Sequence, residues 1–490
     1  MGSTAETKLA VFRADASPTI GSGHVRRCLA IATALKHDGW TCRFAVGEES
    51  LPVVPELISG AFEVRTLAPA ETDAPEALAR SAPEGCQLLV VDHYRLGRAI
   101  ESSARRFAQR VVAIDDLADR AHDCDALIDA TPGRNAADYA SYVIDGTALL
   151  LGPAYAPLRP VFAASRVRRG VYLRDANRLL VNFGGTDPDN VTGAVLTALS
   201  SRQLPENLTA DIVLGRGARH AGSVTAQVAA MPDRFRLHLD TPEMASLLVG
   251  ADVAIGAGGV SALERCCVGL SSVVIVIAEN QRLIAASLAK EGAALLAHSA
   301  DDAVQYAIAL VSDRPAQRAM SAAGMSLCDG RGAARIAIWV DPARAKDGLP
   351  VRLRPAAADD EAIILAWQQQ PQTRRFARVA RMPTADEHRA WFATKRSDPD
   401  CLLNIILHGD APAGAVRLDR HADDGWEVSI AVDAARHGIG VAAAALTLAR
   451  RLVPEARLLA EILPSNYASH ALFARAGYRW DGSWYVNRPH

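Results

Sequence analysis

The chain has 490 residues, half of them hydrophobic, which at about 100–200 residues per domain predicts three domains with ample cores. Its 53 basic and 55 acidic residues leave a formal net charge of −2, which argues against nucleic acid or an anionic membrane as the main partner. The N-terminal MGSTAETKLA lacks a signal-peptide core, no apolar run approaches the roughly 18 residues of a membrane span, and the eight cysteines include no C-x-x-C pair, so a soluble, reduced, cytoplasmic protein without zinc or disulfides is expected.

Short apolar runs then alternate with helical patterns. KLAVFRA, CRFAVG, QLLVVDHY, RVVAIDD, DALIDA and ALLLGP form one series of strand candidates, and RLLVNFGG, DIVLG, RFRLHL, DVAIGAGG and SSVVIVIAE a second. Near-continuous Val, Ile and Leu suits strands buried on both faces, as in parallel sheets. Val25, Cys28, Leu29, Ala32 and Leu35 recur at helical spacing, with Gly39 as terminator. These patterns predict an α/β fold with two Rossmann-like, doubly wound domains, residues 1–160 and 161–345, dividing near residues 155–175. DPARAKDGLP (Asp341–Pro350) reads as a linker. Beyond it VRLRPAAADDEAIILAWQQ, CLLNIIL, GAVRLDR and EVSIAVD predict a mixed α+β domain over 350–490.

The first apolar strand runs into Ile20-Gly21-Ser22-Gly23-His24. Gly21 and Gly23 permit a tight turn and close approach to a ligand, and the helix start behind them offers free amides and a positive dipole end. The dinucleotide fingerprint would need glycine at Arg26, and no P-loop Lys-Ser/Thr follows. His24 stands at the helix start, where the dipole favours neutral imidazole, the form that takes a proton from water.

The stretch Arg13-Ala14-Asp15-Ala16-Ser17 with Ile20–Cys28 resembles the nucleotide-sugar hydrolases of pseudaminic acid biosynthesis, relatives of the two-domain MurG-like (GT-B) glycosyltransferases. The resemblance continues through VVDHYRLG, VVAIDDLADRAHDCDALID, LGPAYAPLRPVF, VNFGGTDPDNVTG, GAGGVSALE and AENQ, covering roughly residues 8–340. It implies release of UDP from UDP-2,4-diacetamido-2,4,6-trideoxy-β-L-altropyranose, with His24 as general base and no metal. Asp15, close by in sequence, is a candidate to orient the ring or the sugar, and Gly21, Gly23 and Arg26 line the substrate. Gly258 and Gly259 start a helix after a strand and present amides to a diphosphate. Glu264, as in the related transferases, accepts from ribose hydroxyls, and Asn280 reaches the diphosphate or the departing oxygen. Gly184, Gly185 and Thr186 are a second loop of close approach, and all these loops follow strand C-termini. A divalent ion on Asp115, Asp116 and His122 is a competing reading whose spacing fits no defined metal motif.

WEVSIAVDAARHGIGVAAAALTLARRL, followed by NYASHALFARAGYRW, resembles the GCN5-related N-acetyltransferases (GNAT). The implied co-substrate is acetyl-CoA, its pyrophosphate on the amides of Gly438, Gly440, Val441 and Ala442, with Asn466 nearby. Glu427 is the candidate base acting through water. Phe473 stands where many members carry a tyrosine that protonates the departing thiolate, which leaves water or Tyr467 for that task. An acetyltransferase acting on the 4-amino precursor makes the diacetamido substrate of the hydrolase, so the fusion suggests consecutive steps. The remaining readings are a MurG-like glycosyltransferase and a non-catalytic nucleotide-sugar-binding protein. The sequence leaves the oligomeric state open.

Overall fold

The computed structural model describes residues 8–59, 61–169, 177–421 and 425–489. The N-terminal segment read for a leader and the 170–176 part of the stretch where the two α/β patterns divide lie outside them. The chain falls into two compact units, Met1–Ala333 and Ala334–His490.

The first unit contains two parallel sheets. Strands β1 (Leu9–Ala14), β2 (Thr41–Gly47), β3 (Glu63–Leu67), β4 (Leu88–Asp92), β5 (Val111–Ile114), β6 (Ala126–Asp129) and β7 (Ala148–Leu151) lie in the order β3-β2-β1-β4-β5-β6-β7. Strands β8 (Asn177–Asn182), β9 (Leu208–Leu214), β10 (Phe235–Leu239), β11 (Val253–Ala257), β12 (Ser271–Ile275) and β13 (Leu295–Ala297) lie in the order β10-β9-β8-β11-β12-β13. Every residue of β4, β5, β11 and β12 is buried, which is why those runs show no apolar–polar alternation. Each sheet winds outward in both directions from its first strand. The winding reverses between β1 and β4, and again between β8 and β11. Such switch points open a crevice beyond the strand C-termini.

The helix Gly23–His37 buries Val25, Cys28, Leu29, Ala32 and Leu35 and stops at Gly39, whose φ of +84° suits glycine. All eight cysteines are free and buried. Among the described residues no helix is long and apolar enough to cross a membrane.

The second unit holds a mixed sheet. Strands β14 (Ala343–Arg344), β15 (Pro350–Pro355), β16 (Cys401–His408), β17 (Ala411–His421), β18 (Gly425–Val432), β19 (Arg457–Ala460), β20 (Arg479–Trp480) and β21 (Tyr485–Asn487) lie in the order β14-β15-β16-β17-β18-β19-β21-β20. Helix Val441–Leu452 packs Val441, Ala445, Leu448 and Leu452 against one face, while Ile364, Trp367 and Phe392 cover the other. The expected linker is structured. Ala343 and Arg344 pair with Val351 and Pro350, and Ala345 and Ile338 join the core of this unit. Its Pro, Gly and Asp residues form a tight hairpin rather than a tether, with Gly348 at φ +86°.

β18 is antiparallel to β17 along its whole length but pairs with parallel β19 only from Gly425 to Glu427. Beyond Glu427 the two strands part, and β18 continues to Val432 without β19 beside it.

Candidate active sites

His24 is the second residue of its helix, placed by the Gly21 turn at the switch point between β1 and β4. Gly21 has φ +78° and closes a bridge with Ser17. An added Cβ at Gly21 or Gly23 would meet nothing within 4 Å, so the approach is open. The His24 ring is 5% exposed, and its Nδ1 lies 2.6 Å from Oδ1 of Asp92, which closes β4. Arg27, one turn on and on the same face, donates to Asp92 through Nε (2.9 Å) and Nη2 (2.7 Å), and through Nη1 to Asp116 Oδ2 (3.0 Å). Burial raises the Asp92 pKa, but the charges of Arg27 and His24 outweigh it and hold the group below the ordinary carboxylate value. An ionised Asp92 accepts the Nδ1 proton, which fixes the tautomer and leaves a lone pair on Nε2. This is the geometry of a general base with its orienting carboxylate. Tyr94 presents its ring edge-on to His24 at 4.4 Å, and Asn280 Nδ2 donates to the Tyr94 hydroxyl at 2.6 Å. Residues of both sheets therefore meet at this point.

Of the two carboxylates, Asp92 and not Asp15 contacts the His24 ring. Arg13, fully buried within β1, takes both Asp15 oxygens (2.6 and 2.7 Å), and the Gly47 amide adds a third bond at 2.7 Å. Burial raises the Asp15 pKa, and the bonds from His93 and Arg13 overcome this and push it well below the carboxylate range. The nearest carboxylate in sequence thus neutralises a buried arginine instead of reaching the imidazole. Asp92 and Arg27 carried no assignment in the sequence, and Asp116 figured there only in the metal reading, not as a partner of Arg27. The one signal for Asp92 and Asp116 is charge at or just past the ends of apolar strands, and for Arg27 a charge among the buried residues of the helix Gly23–His37. Arg26 turns to the surface, onto Ser22 Oγ (3.1 Å) and Glu56 (2.9 Å).

The competing metal trio does not converge. Asp115 accepts from Tyr139 (2.9 Å) and pairs with Arg120 (2.6 Å), Asp116 belongs to Arg27, and His122 bonds Glu101 (2.8 Å). Among the described residues no group of three metal-ligating side chains comes together.

At the second switch point the loop after β8 carries Gly184 (φ +97°), Gly185 and Thr186. The helix behind it, Val191–Ser200, has its first amides occupied, since Asp187 accepts from Val191 (3.0 Å) and Thr192 (2.8 Å). The backbone of Gly184 and Gly185 and the Thr186 residue are what this loop offers a ligand. The loop after β11 differs. Gly259 caps helix Val260–Cys267 without any side-chain bond, so the amides of Val260 and Ser261 have no intrahelical partner, while the Ala262 amide donates to Gly259 O (2.8 Å) and the Gly258 amide to Gln281 Oε1 (3.1 Å). Glu264 lies half-buried on this helix. Burial raises its pKa, opposed by the charges of Arg159, Arg26 and Arg265. Asn280 sits in the turn Glu279–Gln281. Beside that turn an open cavity of about 360 Å³ is lined by Asp189, Val191, Ile277, Glu279 and Arg282.

In the second unit Gly438 (φ +80°) and Gly440 (φ +92°) form the turn between β18 and helix Val441–Leu452. No side chain caps that helix, so the amides of Val441 and Ala442 have no intrahelical partner. The turn is held from below, since the Lys346 amide donates to Ile439 O (2.7 Å) and its Nζ to Gly438 O (2.9 Å). Asn466 caps helix Tyr467–Arg475, accepting from the Ser469 amide at 3.1 Å. Phe473 is buried and packs edge-on against Tyr478 at 4.9 Å. Glu427 sits where β18 and β19 part. Its partner is Arg378, which also bonds Glu461 at 2.7 Å. Neither Arg378 nor Glu461 was read from the sequence. Both lie outside any motif.

Comparison with known proteins follows this division. Residues 351–479 match the acetyltransferase (GNAT) domain family. The chain is 30% identical over 200 residues to the Bacillus subtilis spore coat polysaccharide biosynthesis protein SpsG, covering 40% of this chain and 58% of that protein, so the match spans little more than half of that relative. It is 23% identical over 285 residues, 58% of this chain, to the UDP-2,4-diacetamido-2,4,6-trideoxy-beta-L-altropyranose hydrolase of Campylobacter jejuni, covering 96% of that enzyme. The crystal structure of Acinetobacter baumannii MurG superposes with a TM-score of 0.50 at 14% identity, over 68% of this chain and 99% of that one. The chain is therefore a homologue of the altropyranose hydrolase and of SpsG, with a MurG-like pair of Rossmann sheets joined to a C-terminal acetyltransferase (GNAT) domain.

Proposed function

We propose that the chain is a bifunctional enzyme of nonulosonate biosynthesis. The first unit hydrolyses UDP-2,4-diacetamido-2,4,6-trideoxy-β-L-altropyranose to the free sugar and UDP. His24 Nε2 takes a proton from water, which attacks the anomeric carbon with inversion as the C–O bond to UDP breaks. Asp92 keeps the ring in the required tautomer and stabilises the imidazolium that forms. The Gly259–Val260 amides receive the diphosphate, Glu264 the ribose, and Asn280 the departing oxygen. The single observation that carries this reading is the 2.6 Å contact between His24 and Asp92 at the strand switch point.

The acetyltransferase domain, in the same reading, acetylates the 4-amino group of the preceding UDP-sugar. Acetyl-CoA lays its pyrophosphate on the amides around Gly438, Gly440, Val441 and Ala442. Glu427 removes a proton from the ammonium through water, the amine attacks the thioester carbonyl, and CoA thiolate leaves, protonated by water or Tyr467. Neither step employs a metal. The division into domains at 1–160, 161–345 and 350–490 belongs to this proposal, with the last boundary moved to the start of the second compact unit. Both reactions fit the cytoplasm, where acetyl-CoA and nucleotide sugars are made.

Mass spectrometry of products from the UDP-4-amino precursor tests both halves. With acetyl-CoA the expected products are UDP, CoA and the free diacetamido sugar. Without acetyl-CoA the precursor should persist. UDP release that depends on an added sugar acceptor would turn the reading to a glycosyltransferase, and the absence of turnover in both halves would leave a binding protein.

A further inference from the structure

Strand period places Glu427 and Glu461 on one face. Glu427 is registered opposite Leu459, and Glu461 lies two residues beyond Leu459, just after the end of β19. The two carboxylates therefore flank the point where the strands part. A single guanidinium, that of Arg378, bridges them. It is delivered by the segment between helices Pro371–Arg374 and Ala385–Ser397.

That bridge is weakly held. The Arg378 side chain is 56% exposed and that of Glu461 53%, with Glu427 more covered at 19%, and ion pairs made by exposed partners add little net stability. The delivering segment is basic. Arg374 bonds the carbonyls of Val379 and Arg381 and so shapes it, and Arg381 pairs with Glu387. Arg375 is exposed, lies over Phe376 at 5.2 Å, and has no carboxylate partner among the described residues. The other face-sharing acid, Asp419, is already neutralised by Lys395 (2.8 Å) and Arg417 (2.5 Å).

We infer that Arg378 occupies the acceptor's ammonium position in the free protein, and that the domain selects acceptors carrying both a primary amine and a phosphate group. The amine's cation replaces the guanidinium between Glu427 and Glu461, and the released Arg378, beside the free Arg375, pairs with the phosphate. One internal bridge is exchanged for two ligand pairs, so an acceptor bearing only one of the two charges gains only half of the exchange. Arg378 is then a specificity residue and Glu461 a positioning residue for the amine. This inference rests on the acetyl-transfer reading above.

The test follows CoA release by the full chain with two acceptors, the UDP-4-amino sugar and the same amino sugar without UDP. The unaltered chain should favour the first. Arg378→Gln should lower kcat/KM for the UDP-linked acceptor roughly tenfold to hundredfold, the range for losing a charged hydrogen-bonding partner, mainly through KM. It should improve the amino sugar, whose ammonium no longer competes with the guanidinium. Arg378→Lys should restore part of the preference, and Glu461→Gln should raise KM for both acceptors. Equal losses on both acceptors, or none, in Arg378→Gln would overturn the exchange while leaving acetyl transfer intact. An unaltered chain that acetylates neither overturns the acetyl-transfer reading and this inference with it.

Discussion

Arg27 and Arg378 make the same chemical arrangement in two settings. Each bridges two carboxylates, Arg27 those of Asp92 and Asp116, Arg378 those of Glu427 and Glu461. Around Arg27 the side chains are almost wholly buried, and every charge depends on its partner for solvation. Around Arg378 water reaches the guanidinium and Glu461, while Glu427 is more covered. Removing charges from water costs several kcal/mol, recovered only while the geometry holds. The buried bridge is therefore a scaffold that fixes an imidazole. The exposed one is an exchangeable contact that a ligand can displace. Burial, more than residue type, decides which role an ion pair takes.

The sharpest way to break this contrast is at the ring the scaffold holds. His24→Ala should lower UDP release about 10²–10⁴-fold, the usual range for a general base, with acetyl transfer unaffected. Steady-state assays of both reactions on one preparation check it, and near-normal hydrolysis removes His24 from the mechanism. Next in size is the scaffold itself. Arg27→Ala leaves Asp92 buried without its main counter-ion and should cost about 3–5 kcal/mol of stability, read as an earlier urea transition of the first unit.

The pH dependence carries the same contrast. Asp92, Asp15 and Asp115 are held below their ordinary pKa in the folded chain, in each case by arginine or histidine partners that overcome burial. Their stabilisation is present above the unfolded value, near 3.9, and drains away as pH falls through the folded values. Thermal midpoints should thus fall below about pH 4, and Arg27→Ala should move that decline upward for Asp92. A flat profile down to pH 3 contradicts the scaffold. Smallest is the exposed bridge, where Arg378→Ala should shift stability by no more than about 1 kcal/mol.

The sequence is legible where burial is uniform. Strands β4, β5, β11 and β12 announce themselves because their apolar residues run together without alternation, polar residues standing only at their ends. β3 did not, since three of its five residues are exposed, and β13 and β19 to β21 are only two to four residues long. His24 stood out because its glycines are local. Its partners did not, because Arg27 and Asp92 are 65 positions apart and Arg27 and Asp116 are 89 apart. Proximity along the chain pointed instead to Asp15, which a buried arginine two residues away had already claimed. The Asp341–Pro350 hairpin reads as a tether for the same reason that it turns tightly, since Pro, Gly and Asp serve both purposes.

The eight buried thiols make the chain its own reporter. Burial pushes the thiols of Cys42, Cys86, Cys266 and Cys401 up to about 12, so few are thiolates at neutral pH, and none is on the surface. An alkylating dye should find the native chain inert and mark a cysteine only when its surroundings open. Cys28, Cys42, Cys86 and Cys124 accompany the first sheet, Cys266, Cys267 and Cys328 the second, and Cys401 begins β16. A timed pulse of dye followed by peptide mapping then gives, from one unmodified sample, the order in which the three sheets come apart.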